Sequence, residues 1–154
     1  HPTKEPALMI RWMCKSKLHG LTVTDNNLNY VGSITIDEDR LDAADILHFE
    51  WLLIVNVTTG SRFETYAIPG ARGSGVVGLN GAAARLGLPG DKLIVLSYAS
   101  LGPEELKDFA PRLVFLGANN QIIDLAHTET AEQTFHLGEG YQLRDDANPP
   151  LPPR

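Results

Sequence analysis

Turn-forming residues break this chain at short intervals, about every eight to twelve residues, and leave no room for a long helix. Asp25-Asn26-Asn27, Thr58-Thr59-Gly60-Ser61, Pro69-Gly70, Pro89-Gly90-Asp91 and Gly117-Ala118-Asn119-Asn120 are such breaks. Between them lie short runs that alternate apolar and polar residues or are continuously apolar. Segments of that length cannot each bury a face alone, so they must share one core. The pattern predicts a mainly β chain, a compact barrel or sandwich with a few short helices.

In residues 9–17, Ile10, Trp12 and Cys14 alternate with Arg11 and Lys15, which predicts a half-buried strand. Leu21 and Val23 predict a second strand, ended by a turn at Asp25-Asn26-Asn27. A third holds Gly32-Ser33 and runs to about Ile36. Asp37 then caps a short helix, with Glu38 and Asp39 in its first turn and Leu41, Ala44 and Ile46 as its apolar face. Residues 51–57 and 62–68 read as a hairpin, broken by Pro69-Gly70. Short strands follow at 76–79, 93–96, 113–116 and 121–125, with helical turns at 82–86 and from Pro103.

The length of 154 residues suits one domain, and 43% hydrophobic with 21% charged residues suits a soluble one. No apolar run is long enough to span a bilayer, and no signal-peptide pattern is present. A formal net charge of −6 argues against general nucleic-acid binding. The single cysteine, Cys14, excludes an internal disulfide and fits the reducing cytosol. Residues 1–8, with two prolines, read as an N-terminal extension or an added remnant outside the fold. The pattern fades from His127, and the proline-rich 148–154 reads as a loose tail.

Familiar motifs are mostly absent. Gly73-Ser74-Gly75-Val76-Val77-Gly78 has the letters of a dinucleotide loop but lacks the strand before and the helix after it. The five histidines show no metal-ligand spacing, so no metal is expected. There is no P-loop and no Gly-x-Ser-x-Gly elbow. Cys14 reads as core, and Lys17 and Arg62 as strand-end cations. Tyr66 reads as an aromatic with its hydroxyl at the rim. Gly32-Ser33 stands out because a glycine inside a strand marks a bend or a close approach. A serine hydroxyl placed there can reach back to the preceding carbonyl, the first step of an N-to-O acyl shift. A plain β-bulge is the alternative.

An ordered set of blocks narrows this further. Met9-Ile10-Arg11, Lys15-Ser16-Lys17-Leu18-His19 and Leu28-Asn29-Tyr30-Val31-Gly32-Ser33 are followed by Leu41-Asp42-Ala43-Ala44 and Asn56-Val57-Thr58-Thr59-Gly60. Then come Arg62-Phe63-Glu64-Thr65-Tyr66-Ala67-Ile68 and Asn80-Gly81-Ala82-Ala83-Ala84. Over roughly residues 9–124 the chain resembles the bacterial pyruvoyl-dependent aspartate 1-decarboxylase family.

The resemblance implies a double-psi β-barrel over 9–126 and a C-terminal tail over 127–154. It implies a homotetramer with active sites between subunits. It also implies self-cleavage between Gly32 and Ser33, assisted by Thr65 and held in shape by Tyr30, with Ser33 becoming a covalent pyruvoyl group. That carbonyl would take up the amine of L-aspartate as a Schiff base and act as the electron sink that ordinary side chains cannot supply. Lys17 and Arg62 match carboxylate-binding positions, Tyr66 the proton donor, and Asn80, Gly81, Ala82 and Ala83 the substrate-binding wall. β-Alanine for pantothenate is the implied product, in the cytoplasm, with a maturation factor as a possible further partner. Glutamate as substrate, and an unprocessed barrel without activity, are the alternatives. Departures from the family pattern are Gly20 for a basic residue, Gly75 for arginine, Arg85 for histidine and Val55 for tryptophan.

Overall fold

The computed structural model describes residues 8–131. Among the described residues, nine strands curl about one core as a mainly β, double-psi β-barrel. They are β1 (Arg11–Thr22), β2 (Asp25–Asn27), β3 (Ser33–Asp37), β4 (Trp51–Asn56), β5 (Arg62–Gly70), β6 (Val77–Asn80), β7 (Lys92–Leu101), β8 (Arg112–Leu116) and β9 (Ile122–Ala126). Their order is β2-β6-β3-β5-β4-β7-β1-β8-β9. Parallel pairs (β1 with β8, β2 with β6, β3 with β5) sit among antiparallel neighbours.

Alternation places the core. Leu18 and Leu21, Ile34 and Ile36, Leu52 and Ile54, Val77 and Leu79, and Leu93 and Val95 all point inward and exclude solvent. Each such side chain contributes about 1.5–3 kcal/mol by leaving water. Intervening residues form the outer surface of the barrel.

Helix α1 (Glu38–Ala43) is capped as expected, with Asp37 accepting from the Asp39 N–H. Asp37 does more than cap. Its second oxygen accepts from the Gly75 N–H at 2.8 Å and from the Arg40 guanidinium at 3.1 Å. Arg40 also donates to the Asn120 carbonyl, and the Asn120 carboxamide donates to Thr22 and Gly75. One buried network therefore ties α1, the end of β1 and two loops together. Burial pushes the Asp37 carboxyl up. Hydrogen bonds from Gly75, Asp39 and Gly73, with the Arg40 charge, outweigh it and hold the group below the usual carboxylate range.

A depressed pKa adds stability above the unfolded value of about 3.9, and that stability is lost as pH falls through the folded value. Asp37→Ala strands a buried Arg40 and is expected to cost about 3 kcal/mol at neutral pH, read as a fall in the denaturant midpoint. The gap between the two proteins should close as pH drops below about 4.

Several boundaries differ from the expectation. The two strands expected at 9–17 and at Leu21–Val23 are one twelve-residue strand, β1. It carries register shifts after Cys14 and His19, and Gly20 takes a φ of 89° at the second shift. Asp25-Asn26-Asn27 is not a turn but a short strand parallel to β6. β3 starts at Ser33, so Gly32 belongs to the preceding bend. Pro69-Gly70 does not break β5. Ile36 pairs with Pro69 from one side, and β4 stops pairing at Tyr66, so the missing proline N–H removes no ladder bond on the far side. Cys14 is half-buried rather than core, and burial pushes its thiol pKa up. The tail expected over 127–154 lies outside the described residues beyond 131, as do residues 1–7.

Candidate active site

Ser33 is the first residue of β3 and is wholly buried. Its hydroxyl donates to the Val31 carbonyl at 3.2 Å. That contact closes a small ring across the Gly32–Ser33 peptide and holds Oγ on the N-terminal side of its own residue. From β6, directly opposite in register, the Asn80 carboxamide donates to the same Oγ at 3.0 Å. One donated and one accepted bond leave an oxygen lone pair uncommitted, which is what nucleophilic attack requires.

Two cavities are lined by neighbours of this serine, which itself opens into neither. The smaller, about 270 Å³, is lined by Gly32, Phe63, Glu64, Thr65, Ala82, Ala83 and Leu86. Thr65 thus shares a space with the carbonyl-bearing residue before Ser33. The larger, about 570 Å³, touches Tyr30, Thr35, Asn80, Asp25 and Asn27. The Tyr30 ring is exposed, and its carbonyl packs toward Gly81.

Gly81 opens a 3-10 turn (Gly81–Arg85) with φ at 63°, where glycine alone is unstrained. A Cβ there would sit 2.7 Å from the Gly32 Cα and 2.8 Å from its nitrogen. The two glycines therefore cross backbone on backbone. Gly81, Ala82 and Ala83 lie against Gly32.

The remaining expected residues lie on the outer surface. Along β5, Arg62, Glu64 and Tyr66 face outward, while Phe63, Thr65 and Ala67 alternate with them. Tyr66 is half-buried, with its ring 5.8 Å from Phe49. Lys17 lies outward on β1, beside Leu96 of β7 and Leu113 of β8. Its ammonium is 3.1 Å from Glu129. His19 shares that outer face, and burial, then the Lys17 charge, lower its pKa. Four strand spacings separate β1 from β3 in the sheet, about 19 Å measured along it. Lys17 and Ser33 of one chain are therefore not brought together. Gly32, Ser33, Thr65, Asn80 and the Gly81–Ala83 segment are.

This arrangement can hold a serine poised beside a peptide bond, with a hydroxyl donor and a small cavity next to it. Residues 9–123 match the family model described as aspartate decarboxylase. The chain belongs to the aspartate decarboxylase family.

Among its relatives, the aspartate 1-decarboxylase of Heliobacterium modesticaldum is 55% identical over 131 residues, 85% of this chain and 99% of that protein. The aspartate 1-decarboxylase of Halalkalibacterium halodurans is 55% identical over 123 residues, covering 80% of this chain and 97% of that protein. The aspartate 1-decarboxylase of Carboxydothermus hydrogenoformans is 51% identical over 126 residues, 82% of this chain and 99% of that protein. The aspartate decarboxylase family match thus runs from before β1 to the start of β9. Gly20 supplies the positive φ taken at the second β1 bulge. The residues around Ser33 fit a pyruvoyl group formed from it, since that group needs a buried serine whose hydroxyl reaches back along the chain. Thr35 was missed as a neighbour of the site. The available signal was its spacing, two residues beyond Ser33 on one strand face.

Among the described residues, no helix is long and apolar enough to cross a membrane, and no cluster of His, Cys, Asp and Glu is arranged to hold a metal ion.

Proposed function

We propose that this chain is a self-processing, pyruvoyl-dependent decarboxylase that converts L-aspartate to β-alanine and CO2, supplying pantothenate synthesis in the cytosol. The observation that carries this reading is the buried Ser33 hydroxyl, held between Val31 and Asn80 beside the Gly32–Thr65 cavity. In the processing step, the Ser33 oxygen attacks the Gly32 carbonyl carbon, and the Gly32–Ser33 C–N bond breaks as the hydroxyl proton passes to the freed nitrogen. β-Elimination of the resulting ester releases the Gly32 carboxylate, and water displaces the Ser33 nitrogen as ammonia to leave the carbonyl. The Thr65 hydroxyl donates to the oxygen on which charge develops, a role of large electrostatic value in a closed site. The catalytic domain is residues 9–126, divided into a piece ending at Gly32 and one beginning at residue 33.

The pyruvoyl group, once formed, supplies the carbonyl that accepts the electrons released with CO2. The chain's own side chains do the rest. Arg62 grips one substrate carboxylate with its planar fork, and Lys17 offers a second positive charge. Tyr66 delivers the proton to the substrate carbon. Asn80 and the backbone of Gly81, Ala82 and Ala83 orient the reacting groups. The separation of β1 from β3 supports a site completed by a second copy, whose Lys17 faces the first copy's Ser33, within a homotetramer.

Denaturing mass spectrometry after incubation, with and without a hydrazine reagent, tests the reading. Two fragments divided after Gly32 are expected, the longer one blocked at its amine and tagged by hydrazine. The processed protein should release CO2 from aspartate with a higher kcat/KM than from glutamate. A chain that stays intact even after addition of extract from its source, where any maturation factor would be present, overturns it.

A further inference from the structure

The Asn80 carboxamide makes two bonds from one nitrogen. Nδ2 donates to Ser33 Oγ at 3.0 Å and to Thr35 Oγ1 at 2.9 Å. The sheet explains how. Ser33 and Thr35 are two apart on β3, so both point to the same face. Across the ladder, Asn80 stands opposite Ser33 and Gly78 opposite Thr35. Gly78 has no side chain, and the Asn80 carboxamide lies over it. An added Cβ at Gly78 would be 3.9 Å from the Asn80 Oδ1 and 3.6 Å from the Thr35 Cβ. The carboxamide thus spans the gap between the two hydroxyls.

We propose that Thr35 is a positioning residue for self-processing: its hydroxyl fixes the Asn80 carboxamide so that the other amide hydrogen is aimed at Ser33 Oγ. The inference rests on the self-processing reading of Ser33. Without Thr35 the carboxamide is held at one point and turns about its Cβ–Cγ bond. Ser33 then loses a fixed donor, and its own O–H is no longer forced onto the Val31 carbonyl. The nucleophile's lone pair spends less of its time directed at the Gly32 carbon. Thr35 touches no reacting atom and acts only through Asn80.

Thr35→Val keeps the branched shape and removes the hydroxyl, and Thr35→Ser keeps the hydroxyl. The first readout is the rate at which the fragment ending at Gly32 appears. Thr35→Val is expected to slow it about tenfold, the loss of one orienting hydrogen bond, and Thr35→Ser to restore it to within about twofold. The second readout is independent of cleavage. In the uncleavable Ser33→Ala chain, nuclear magnetic resonance follows solvent exchange of the Asn80 side-chain amide hydrogens. Adding Thr35→Val should speed that exchange, while Thr35→Ser should not. Cleavage at the parent rate in Thr35→Val overturns the proposal, and so does slowed cleavage with unchanged amide exchange. A parent chain that never cleaves defeats the self-processing reading instead, and the Thr35 positioning proposal falls with it, whatever the amide exchange then shows of the bond to Asn80.

Discussion

A Gly81→Ala chain is expected to form the barrel yet remain in one piece. Two penalties fall on the same atom. At a φ of 63°, alanine is strained by roughly 1–2 kcal/mol. Its Cβ would also lie 2.7 Å from the Gly32 Cα, 2.8 Å from the Gly32 nitrogen and 2.9 Å from the Tyr30 carbonyl oxygen. These neighbours are backbone and cannot swing aside as a side chain end would. The bend carrying Gly32 must therefore move, and with it the peptide that Ser33 is set to attack. A shift near 1 Å at a reacting group costs about a hundredfold in rate. The β3–β6 ladder lies beyond the clash, so the fold has no need to follow. The measurement is the fraction of intact chain over time on a denaturing gel, beside the unfolding midpoint. Cleavage at the parent rate would mean that the Gly32–Gly81 crossing does not set the geometry of the bond.

Tyr66→Phe is expected to behave in the opposite way, with normal processing and decarboxylation down by about 10²–10⁴-fold. The change removes one oxygen and leaves the ring that packs near Phe49. Tyr66 faces outward on β5, whereas Thr65, its neighbour, lines the cavity with Gly32. On the proposed reading, the strand's alternation would give adjacent residues different tasks: Thr65 the making of the cofactor and Tyr66 its use. Fragment masses matching the parent, together with a collapse in CO2 release from aspartate at unchanged aspartate binding, would meet the expectation. Parent-level turnover would place the proton donor elsewhere.

How much of this could be read from the residues varied with the kind of signal. The Asp37 cap was legible because an acid stands ahead of two more at the start of a short apolar face, and the structure has that cap. The β4–β5 hairpin was legible from two strand-like runs around a turn, and it is present. β2 was not. Asp25, Asn26 and Asn27 carry no apolar side chain, and their strand character rests only on backbone bonding to β6. The continuity of β1 was hidden because Gly20 looks like a break until its positive φ is seen to serve a bulge. At the site, Gly32-Ser33 was noticeable as chemistry, but Lys17, Arg62, Tyr66 and Asn80 acquired roles only through the family resemblance. Thr35 carried only the weak signal of its spacing, two residues beyond Ser33, since threonine in a strand is ordinary. What singles it out is a carboxamide from another strand lying across it.

The position of Ser33 at the very start of β3 bears on what happens after a cut there. The break falls in a bend, so no ladder is severed. Yet the shorter piece keeps β1, which runs between β7 and β8, and β2, which lies along β6. Before the cut, folding is a first-order event of one molecule. Afterwards the same native state is a complex of two polypeptides interlaced through the middle of a sheet, and recovering it from denaturant is a second-order encounter that depends on concentration. A protein cut there would be held together only by the contacts between its pieces, and its endurance would rest on how slowly they part. Its tertiary structure would become a record of a folding step that its covalent structure no longer repeats alone.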